Sequence, residues 1–440
     1  MKIMKFGGTS VGKPERMNEV AKLIIKDEEP KIVVLSALSG TTNALVEISN
    51  SLANADRITA KQQIKALEVH YQNFIAALVT KDDAIANAKT IIAEHFEFLN
   101  IILKISFSEA LNKDILAQGE LLSTKLFSVY LTQQNISHAL IPALDFMTID
   151  NYDEPQIGSI KVKLAQILQR NKDKSIFITQ GFISRNSKGE VDNLKRGGSD
   201  YSASLIAAAV NASVCEIWTD IDGMHNNDPR IVKNTTAIEQ LSFEEAAELA
   251  YFGAKILHPA SIWPAQFYKV PVKLLNTMHP EARGTLITEL AGSVGVKAVA
   301  AKDGITAIKI KSSRMLLAYG FLRKIFEVFE KHRTSIDMIT TSEVGVSLTI
   351  DNDSNLQAII QELEPFGSVE IDANQTIVSI VGNEITETKD VMQRIFNALN
   401  DVPIRMVSYG GSSHNISILI PKNYKEQTLK LISVGLIGTK

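Results

Sequence analysis

Cysteine is nearly missing from this chain: its 440 residues hold one, Cys215. A disulfide framework is therefore excluded, and a reducing compartment is expected. Cys215 lies in the apolar run 213–219 and reads as an inert buried thiol in a strand rather than a nucleophile. No apolar run approaches the roughly 20 residues of a membrane span. The first residues already read as a strand rather than a leader, so a cytoplasmic protein is expected, with no membrane partner. An excess of charge is lacking too. At a net charge of −3, bulk electrostatics do not hold nucleic acid. Proline is absent from residues 44–134, where glycine occurs only at Gly119, and this block of Ala, Leu, Ile, Lys and Gln reads as nearly all helix. What remains is an ordinary globular composition, 45% hydrophobic and 22% charged, in a chain long enough for two or three domains.

The strongest local signal comes first. Ile3, Met4 and Phe6 precede Gly7-Gly8-Thr9-Ser10-Val11-Gly12, and a helical pattern follows over 16–25. Strand, glycine turn and helix together aim backbone N–H groups at an anion. Lys5 ends the strand, where a cation reaches a phosphate lying over the glycines; the bland alternative is an exposed strand-end charge. Gly7 to Pro14 nearly fits the P-loop pattern, but Pro14 has no hydroxyl to offer Mg²⁺ and instead opens the helix. Residues 31–38 read as a buried parallel strand that ends in a small polar loop with Ser36, Thr41 and Thr42. Such a loop either binds a ligand at the carboxyl end of the sheet or caps a helix. Glu120, just after Gly119, is either a site carboxylate or a surface acid.

Residues 137–144 and 175–182 read as two more strands, the second running through Phe182 into a hairpin with its turn at 186–189. The hairpin returns into Arg196-Gly197-Gly198-Ser199-Asp200 and an alanine-rich helix over 202–210, a second anion-directed helix N-terminus. Arg196 offers a planar fork suited to a carboxylate. Asp200 suits an ammonium group or the surroundings of a metal. A strand over 213–219 ends in a polar, turn-rich segment with Thr219, Asp220, His225, Asp228 and Arg230. Ser242 and Glu245 form a capping box for a helix over 242–252. Gly253-Ala254-Lys255-Ile256 follows, with Lys255 a plausible phosphate contact.

Near residue 292 the character changes. Strands at 305–312, 336–340, 344–350 and 368–371, with helices at 320–332 and 356–363, spell β-α-β-β-α-β. The pattern recurs over 376–432, one strand short, and 293–301 supplies a spare strand. The expected architecture is α/β: an αβα sandwich with a mainly parallel sheet over 1–292, then two ferredoxin-like units. Strand counting assigns 303–375 to the first unit and 293–302 with 376–440 to the second, the first inserted within the second.

Lys5-Phe6-Gly7-Gly8-Thr9-Ser10-Val11, Gly197-Gly198-Ser199-Asp200, Thr219-Asp220 with Asp228-Pro229-Arg230, and Gly253-Ala254-Lys255, followed by the doubled tail, resemble the aspartate kinases over essentially the full length. The layout is most similar to the monofunctional, lysine-sensitive type: an amino-acid-kinase fold with two C-terminal ACT domains. The resemblance implies ATP-dependent phosphorylation of the L-aspartate side chain to 4-phospho-L-aspartate, with Mg²⁺ bridging phosphate oxygens. It implies Lys5 and Asp200 as catalytic residues. It implies Lys5, Phe6, Gly7, Gly8, Thr219, Asp220, His225, Arg230, Lys255 and Ile256 as nucleotide contacts. Ser36, Thr42, Glu120, Phe182, Arg196, Ser199 and Asp200 match the substrate pocket. Met315, Ala318, Gly320, Phe321, Leu322, Asp337, Ser342 and Glu343 match an effector site for lysine, with threonine the second choice. A homodimer or a dimer of dimers is implied. Two positions depart from the pattern: His225 stands where relatives carry tyrosine, and Ala318 where the lysine-sensitive ones carry serine. Two readings compete: another kinase of the same fold, acting on glutamate, acetylglutamate or UMP, against which the doubled tail and the Arg196-Gly197-Gly198-Ser199-Asp200 loop with Phe182 argue, and a catalytically silent amino-acid sensor, against which the intact Lys5, Arg196, Asp200 and Lys255 argue.

Overall fold

Runs that are apolar on both faces become central parallel strands, because helices cover such a sheet from both sides. Lys31–Leu35 and Ile176–Gln180 are buried at every residue, as this pattern requires. The computed structural model describes residues 1–194, 197–253, 257–290, 292–312 and 319–438. It divides into two units: Met1–Met224 with Leu257–Glu289, and His225–Ile256 with Leu290–Lys440.

In the first unit the strands lie in the order Ala139–Leu140, Ile176–Gln180, Lys31–Leu35, Lys2–Phe6, Cys215–Thr219, Val272–Asn276, Thr285–Thr288. All these neighbours pair in parallel except the last two, which are antiparallel. The chain leaves Lys2–Phe6 toward one edge and later returns on its other side, so the order reverses at this first strand. A reversal of this kind opens a crevice at the carboxyl ends. The register aligns those ends: Phe6 faces Leu35 and Trp218, and Leu35 faces Gln180. Phe6 and Trp218 also stack, with ring centroids 5.7 Å apart.

The helical block resolves into Thr41–Ala53, Arg57–Leu78, Asp82–Ile102 and Glu109–Gln133. Asp56 and Ser108 start two of these helices by accepting the N–H groups of Thr59 and Leu111. Gly119 does not interrupt Glu109–Gln133, as its sequence pattern suggests. It lets the helix pass close: a Cβ at Gly119 would stand 2.7 Å from the Ala37 Cβ. The run 137–144 shortens to the two-residue strand Ala139–Leu140, followed by a 3-10 turn at Ala143–Asp145. Helix Gly198–Val210 packs on Lys2–Phe6, Lys31–Leu35 and Cys215–Thr219. Cys215 is fully buried, and burial raises its thiol pKa, as expected of an inert thiol.

The second unit is built on one six-stranded antiparallel sheet, ordered Ile339–Ser342, Gly345–Ile350, Gly295–Lys311, Ser368–Asn383, Asn415–Pro421, Met406–Ser408. Strands that the sequence separates at 302–304 are one strand here, Gly295–Lys311, and Ser368–Asn383 likewise spans the break at 372–375. The apparent breaks are bulges. Register shifts fall between Asp303 and Ile305 and between Ile305 and Ala307, and Gly304 supplies the positive φ of 78°. Residues 295–302 pair with 377–383, and 305–311 with 368–375. Helices Phe321–Lys331 and Leu356–Leu363 close one core around Ile325, Phe329 and Leu348; Val391–Ala398 and Lys425–Ile432 close another around Ile395, Ile418 and Leu429. The unit also contains helix Phe243–Tyr251, whose capping box at Ser242 and Glu245 forms in full. Among the described residues no helix is long and apolar enough to cross a membrane.

Candidate active site

The aligned strand ends deliver four loops to one place in the first unit. The Lys5 ammonium lies 2.7 Å from Asp200 Oδ1, and the two side chains are only 12% and 17% exposed. Asp200 is in the first turn of Gly198–Val210, a helix entered through Gly197 at φ 65°. Gly7 lies two residues after Lys5, and a Cβ there would stand 3.4 Å from the Lys5 nitrogen. The Gly7 N–H is committed to the sheet, donating to the Trp218 carbonyl at 3.3 Å. The amides of Gly8 and Thr9, which open the short helix Gly8–Val11, have no acceptor within that helix and remain for an anion. Gly8 and Gly12 press on the neighbouring loop: a Cβ would stand 3.0 Å from the Ala37 oxygen at Gly8 and 2.6 Å from the Ser39 Cβ at Gly12.

Glu120 is not a surface acid. It is 4% exposed, one oxygen accepts the Ala37 N–H at 3.2 Å, and the other has no hydrogen-bond partner. Burial pushes its pKa from 4.5 up to about 7, against the opposing pull of the Ala37 N–H and the Lys5 charge. The helical turn that carries Glu120 is held against the neighbouring loops by side chains that carry no local sequence signal. Ser123 Oγ donates to the Ser36 carbonyl at 2.8 Å, and Thr124 Oγ1 donates to the Glu120 carbonyl at 2.8 Å. Gln180 donates to Thr124 at 2.7 Å and accepts the Ala143 N–H at 2.7 Å. Their role follows from the sheet register, which sets the end of Ile176–Gln180 beside Leu35. Of the two adjacent threonines, Thr41 is buried and shares a hydrogen bond with Tyr71, whereas Thr42 is exposed.

Phe182 has a φ of 66°, unusual for a residue with a side chain. Its N–H donates to Ser202 Oγ at 2.8 Å and its carbonyl accepts from Leu194 at 2.7 Å, which holds the conformation. Gly181 is needed for close approach: a Cβ there would lie 2.3 Å from the Ser199 Cβ and 2.8 Å from its Cα. Gly181→Ala is expected to cost about 1–3 kcal/mol by forcing Phe182 and Ser199 apart, read as a fall in the denaturant midpoint. An unchanged midpoint would show that the loop yields freely. Thr219 donates to Asp220 at 3.2 Å at the end of Cys215–Thr219, and the exposed Asp220 carboxylate faces solvent.

The remaining sequence-derived positions fall elsewhere. Arg196, Lys255, Ile256, Met315 and Ala318 lie outside the described residues. His225 and Arg230 belong to the second unit. His225 Nδ1 is 2.9 Å from Thr235 Oγ1, and Arg230 forks onto Asp228 at 2.7 and 2.9 Å with its own side chain 82% exposed. The Arg230 fork lowers the Asp228 pKa. Gly320 caps helix Phe321–Lys331 at φ 77°; Phe321 is buried and Leu322 half-buried. Ser342 ends an exposed strand, Glu343 is in the turn after it, and the Asp337 side chain is fully buried.

A model of the amino acid kinase family matches residues 1–276, and one of the ACT domain matches residues 378–434. Lysine-sensitive aspartokinase 3 of Escherichia coli (strain K12) is 33% identical over 452 residues, covering 99% of this chain and 98% of that one. The chain belongs to the aspartokinase family. Two solved structures extend the likeness to three dimensions. E. coli aspartokinase III in complex with aspartate and ADP matches with a TM-score of 0.84 at 32% identity, over 99% of this chain and 100% of that one. The same enzyme in complex with lysine and aspartate matches with a TM-score of 0.82 at 33% identity, over 99% of each. The aspartokinase family accounts for the glycine loops, for the parallel sheet beneath them and for the ACT sheet that follows in sequence.

Proposed function

We propose that this aspartokinase-family chain transfers the γ-phosphoryl group of ATP to the side-chain carboxylate of L-aspartate, yielding 4-phospho-L-aspartate and ADP. The observation that carries this reading is the convergence on one set of strand ends of a lysine–aspartate pair, a glycine turn and a buried, half-partnered glutamate. The attacking carboxylate is ionised at neutral pH, so no general base is required. Alignment and neutralisation of charge are what remain. Lys5, steadied by Asp200, meets the negative charge of the transferring phosphoryl group together with the Gly8 amide. Glu120 takes the α-ammonium of aspartate through its unpartnered oxygen. Arg196 takes the α-carboxylate; Ser36, Thr42 and Ser199 supply hydroxyls, and Phe182 a wall. Phe6, Gly7, Thr219, Asp220, His225, Arg230, Lys255 and Ile256 are assigned to the nucleotide. Mg²⁺, when bound, neutralises phosphate charge, and the carboxylate oxygens of Asp200 and Asp220 are donors of the hard type it takes.

The proposed domains are a kinase domain over 1–292, an ACT unit over 303–375, and a second ACT unit from 293–302 and 376–440. The pairing of 295–302 with 377–383 supports that division. An amino acid, lysine first and threonine second, is proposed as effector at Met315, Ala318, Gly320, Phe321, Leu322, Asp337, Ser342 and Glu343. The proposed setting is a cytoplasmic homodimer or dimer of dimers.

The test traps the acyl phosphate with hydroxylamine in the presence of ATP and Mg²⁺. Hydroxamate is expected with L-aspartate and suppression with lysine. Turnover with another acceptor and none with aspartate would overturn the substrate assignment. Turnover untouched by lysine or threonine would overturn the effector assignment alone.

A further inference from the structure

The hairpin between Ile176–Gln180 and helix Gly198–Val210 begins in a strained turn. The Ile183 N–H donates to the Gly181 carbonyl at 2.7 Å across Phe182, whose φ is 66°. This is a γ-turn of the positive-φ kind, rare for a residue with a side chain. A strained turn keeps its shape only where its surroundings over-determine it. The hairpin does not do so unaided: Ile183–Arg185 and Val191–Asn193 form a sheet of two strands, which is marginal on its own. It is anchored from outside on each strand. On the first, the Arg185 N–H donates to the Met147 carbonyl and the Arg185 carbonyl accepts the Ile149 N–H, both at 2.9 Å. On the second, the anchor is Asp192.

Asp192 is buried, with its side chain 3% exposed. One carboxylate oxygen accepts the Asn193 N–H at 2.7 Å, and the other lies 2.6 Å from the Lys113 ammonium, itself mostly shielded. In register, Asp192 faces Ser184 and Asn193 faces Ile183, the residue after Phe182. Ser184 Oγ also donates to the Asp192 carbonyl at 3.3 Å, so the ion pair is tied to the strand that leaves Phe182. Lys113 comes from helix Glu109–Gln133, seven positions before Glu120. Seven residues make two turns, about 10 Å along the axis and on one face. One helix thus carries both the carboxylate assigned to the substrate ammonium and the cation that fastens the hairpin. A buried carboxylate that loses its cation is an uncompensated charge, which drives its strand outward to water.

Resting on the aspartate reading above, we infer that Lys113 is a positioning residue for the amino-acid substrate. Through Asp192 it holds the hairpin on the helix that bears Glu120, and so fixes Phe182 as a wall. It acts through Asp192 rather than on the substrate. When the pair is broken, the turn at Phe182 relaxes from its positive φ and the wall retreats. A wall touches the body of the amino acid equally before and during phosphoryl transfer, so its loss weakens binding without slowing the chemical step. Lys5 and the glycine turn belong to a different strand end and keep their geometry.

The experiment uses the full chain and two variants. Lys113→Met keeps the stem and removes the charge. Asp192→Asn breaks the same pair without leaving a buried charge, and it alone decides where Lys113→Met fails to fold. Hydroxamate formation is measured against aspartate and ATP concentration, with melting followed in parallel. KM for aspartate is expected to rise about tenfold or more in both variants, with kcat and KM for ATP within about twofold of wild type. Lower melting with an unchanged KM for aspartate would reduce the pair to a structural role and overturn the inference. An equal rise in both KM values, or a fall in kcat alone, would overturn it as well, because the loosening would not be confined to the amino-acid pocket. Wild type that turns over another acceptor and not aspartate would overturn the aspartate reading, and the same comparison made with that acceptor would then decide the role of Lys113.

Discussion

Lys5→Ala is expected to lower turnover by about 10³-fold, the scale seen when a fixed donor is removed from developing negative charge in a water-poor site. Lys5 is at the end of a buried strand, held 2.7 Å from Asp200 and mostly shielded from solvent. Its ammonium is thus oriented before substrate arrives. Alanine also strands the Asp200 carboxylate, which lowers stability, so melting must be followed alongside turnover. Lys5→Arg separates the two effects. Arginine keeps the charge and the pairing with Asp200, but its planar fork does not reproduce a compact ammonium. Stability is expected to return with Lys5→Arg while turnover stays depressed. Full turnover in Lys5→Ala would remove Lys5 from the catalytic machinery, whereas a variant without turnover that kept the chain's biological activity would revive the reading as a silent sensor.

Glu120→Gln is expected to make the protein more stable at pH 8 and a poorer enzyme at once. The folded state raises the Glu120 pKa from 4.5 to about 7, because burial disfavours the carboxylate. The folded state thus prefers the protonated acid. Its favourable contribution is complete below pH 4.5 and is lost as pH rises through about 7. Glutamine carries no proton to lose, so the variant avoids a penalty on the order of 3 kcal/mol at pH 8. The same carboxylate is assigned to the aspartate ammonium, and there its charge is required. KM for aspartate is expected to rise by about tenfold or more in Glu120→Gln, with kcat much less affected. In wild type, KM should fall as pH rises from 6 to 8, and in the variant that dependence should disappear. A variant with unchanged KM and the same pH profile would remove Glu120 from the substrate site. Equal melting temperatures at pH 8 would show that water or a neighbour relieves the buried charge.

Both effects combine a residue the sequence marks with a setting it does not. Lys5 before Gly7-Gly8 is legible because strand, turn and helix signals are local, each spanning a few residues. The capping box of Ser242 and Glu245 is legible for the same reason, and it forms. Glu120 is different. Its partner is the Ala37 N–H, 83 residues away, and composition alone favours an exposed glutamate there. Gly119 reads as an interruption because glycine is a weak helix former, yet it serves a close approach to Ala37 that only packing creates. The break at Asp303-Gly304 reads as a turn, since a bulge and a turn share the same residue types; the long pairing with Ser368–Asn383 makes it a bulge. Helix Phe243–Tyr251 reads as part of the kinase domain because it follows the sheet in sequence, and the family model covers it; that its buried Glu245 pairs with Lys297, 52 residues on, is visible only in three dimensions.

By itself the sequence determined the element types, the glycine loops at the strand ends, the family, and the identities of the charged groups that chemistry on an amino acid and a phosphate needs. Periodicity, capping and turn chemistry act over neighbouring residues, and such signals survive in one dimension. Tertiary structure alone decided which charges meet, which carboxylate is buried and half-partnered, and which helix belongs to which unit. Those outcomes depend on sheet order and register, which bring residues tens to hundreds of positions apart within hydrogen-bond distance. Burial then sets the electrostatics, because the same carboxylate that is ordinary in water becomes a near-neutral titrating group once it is buried.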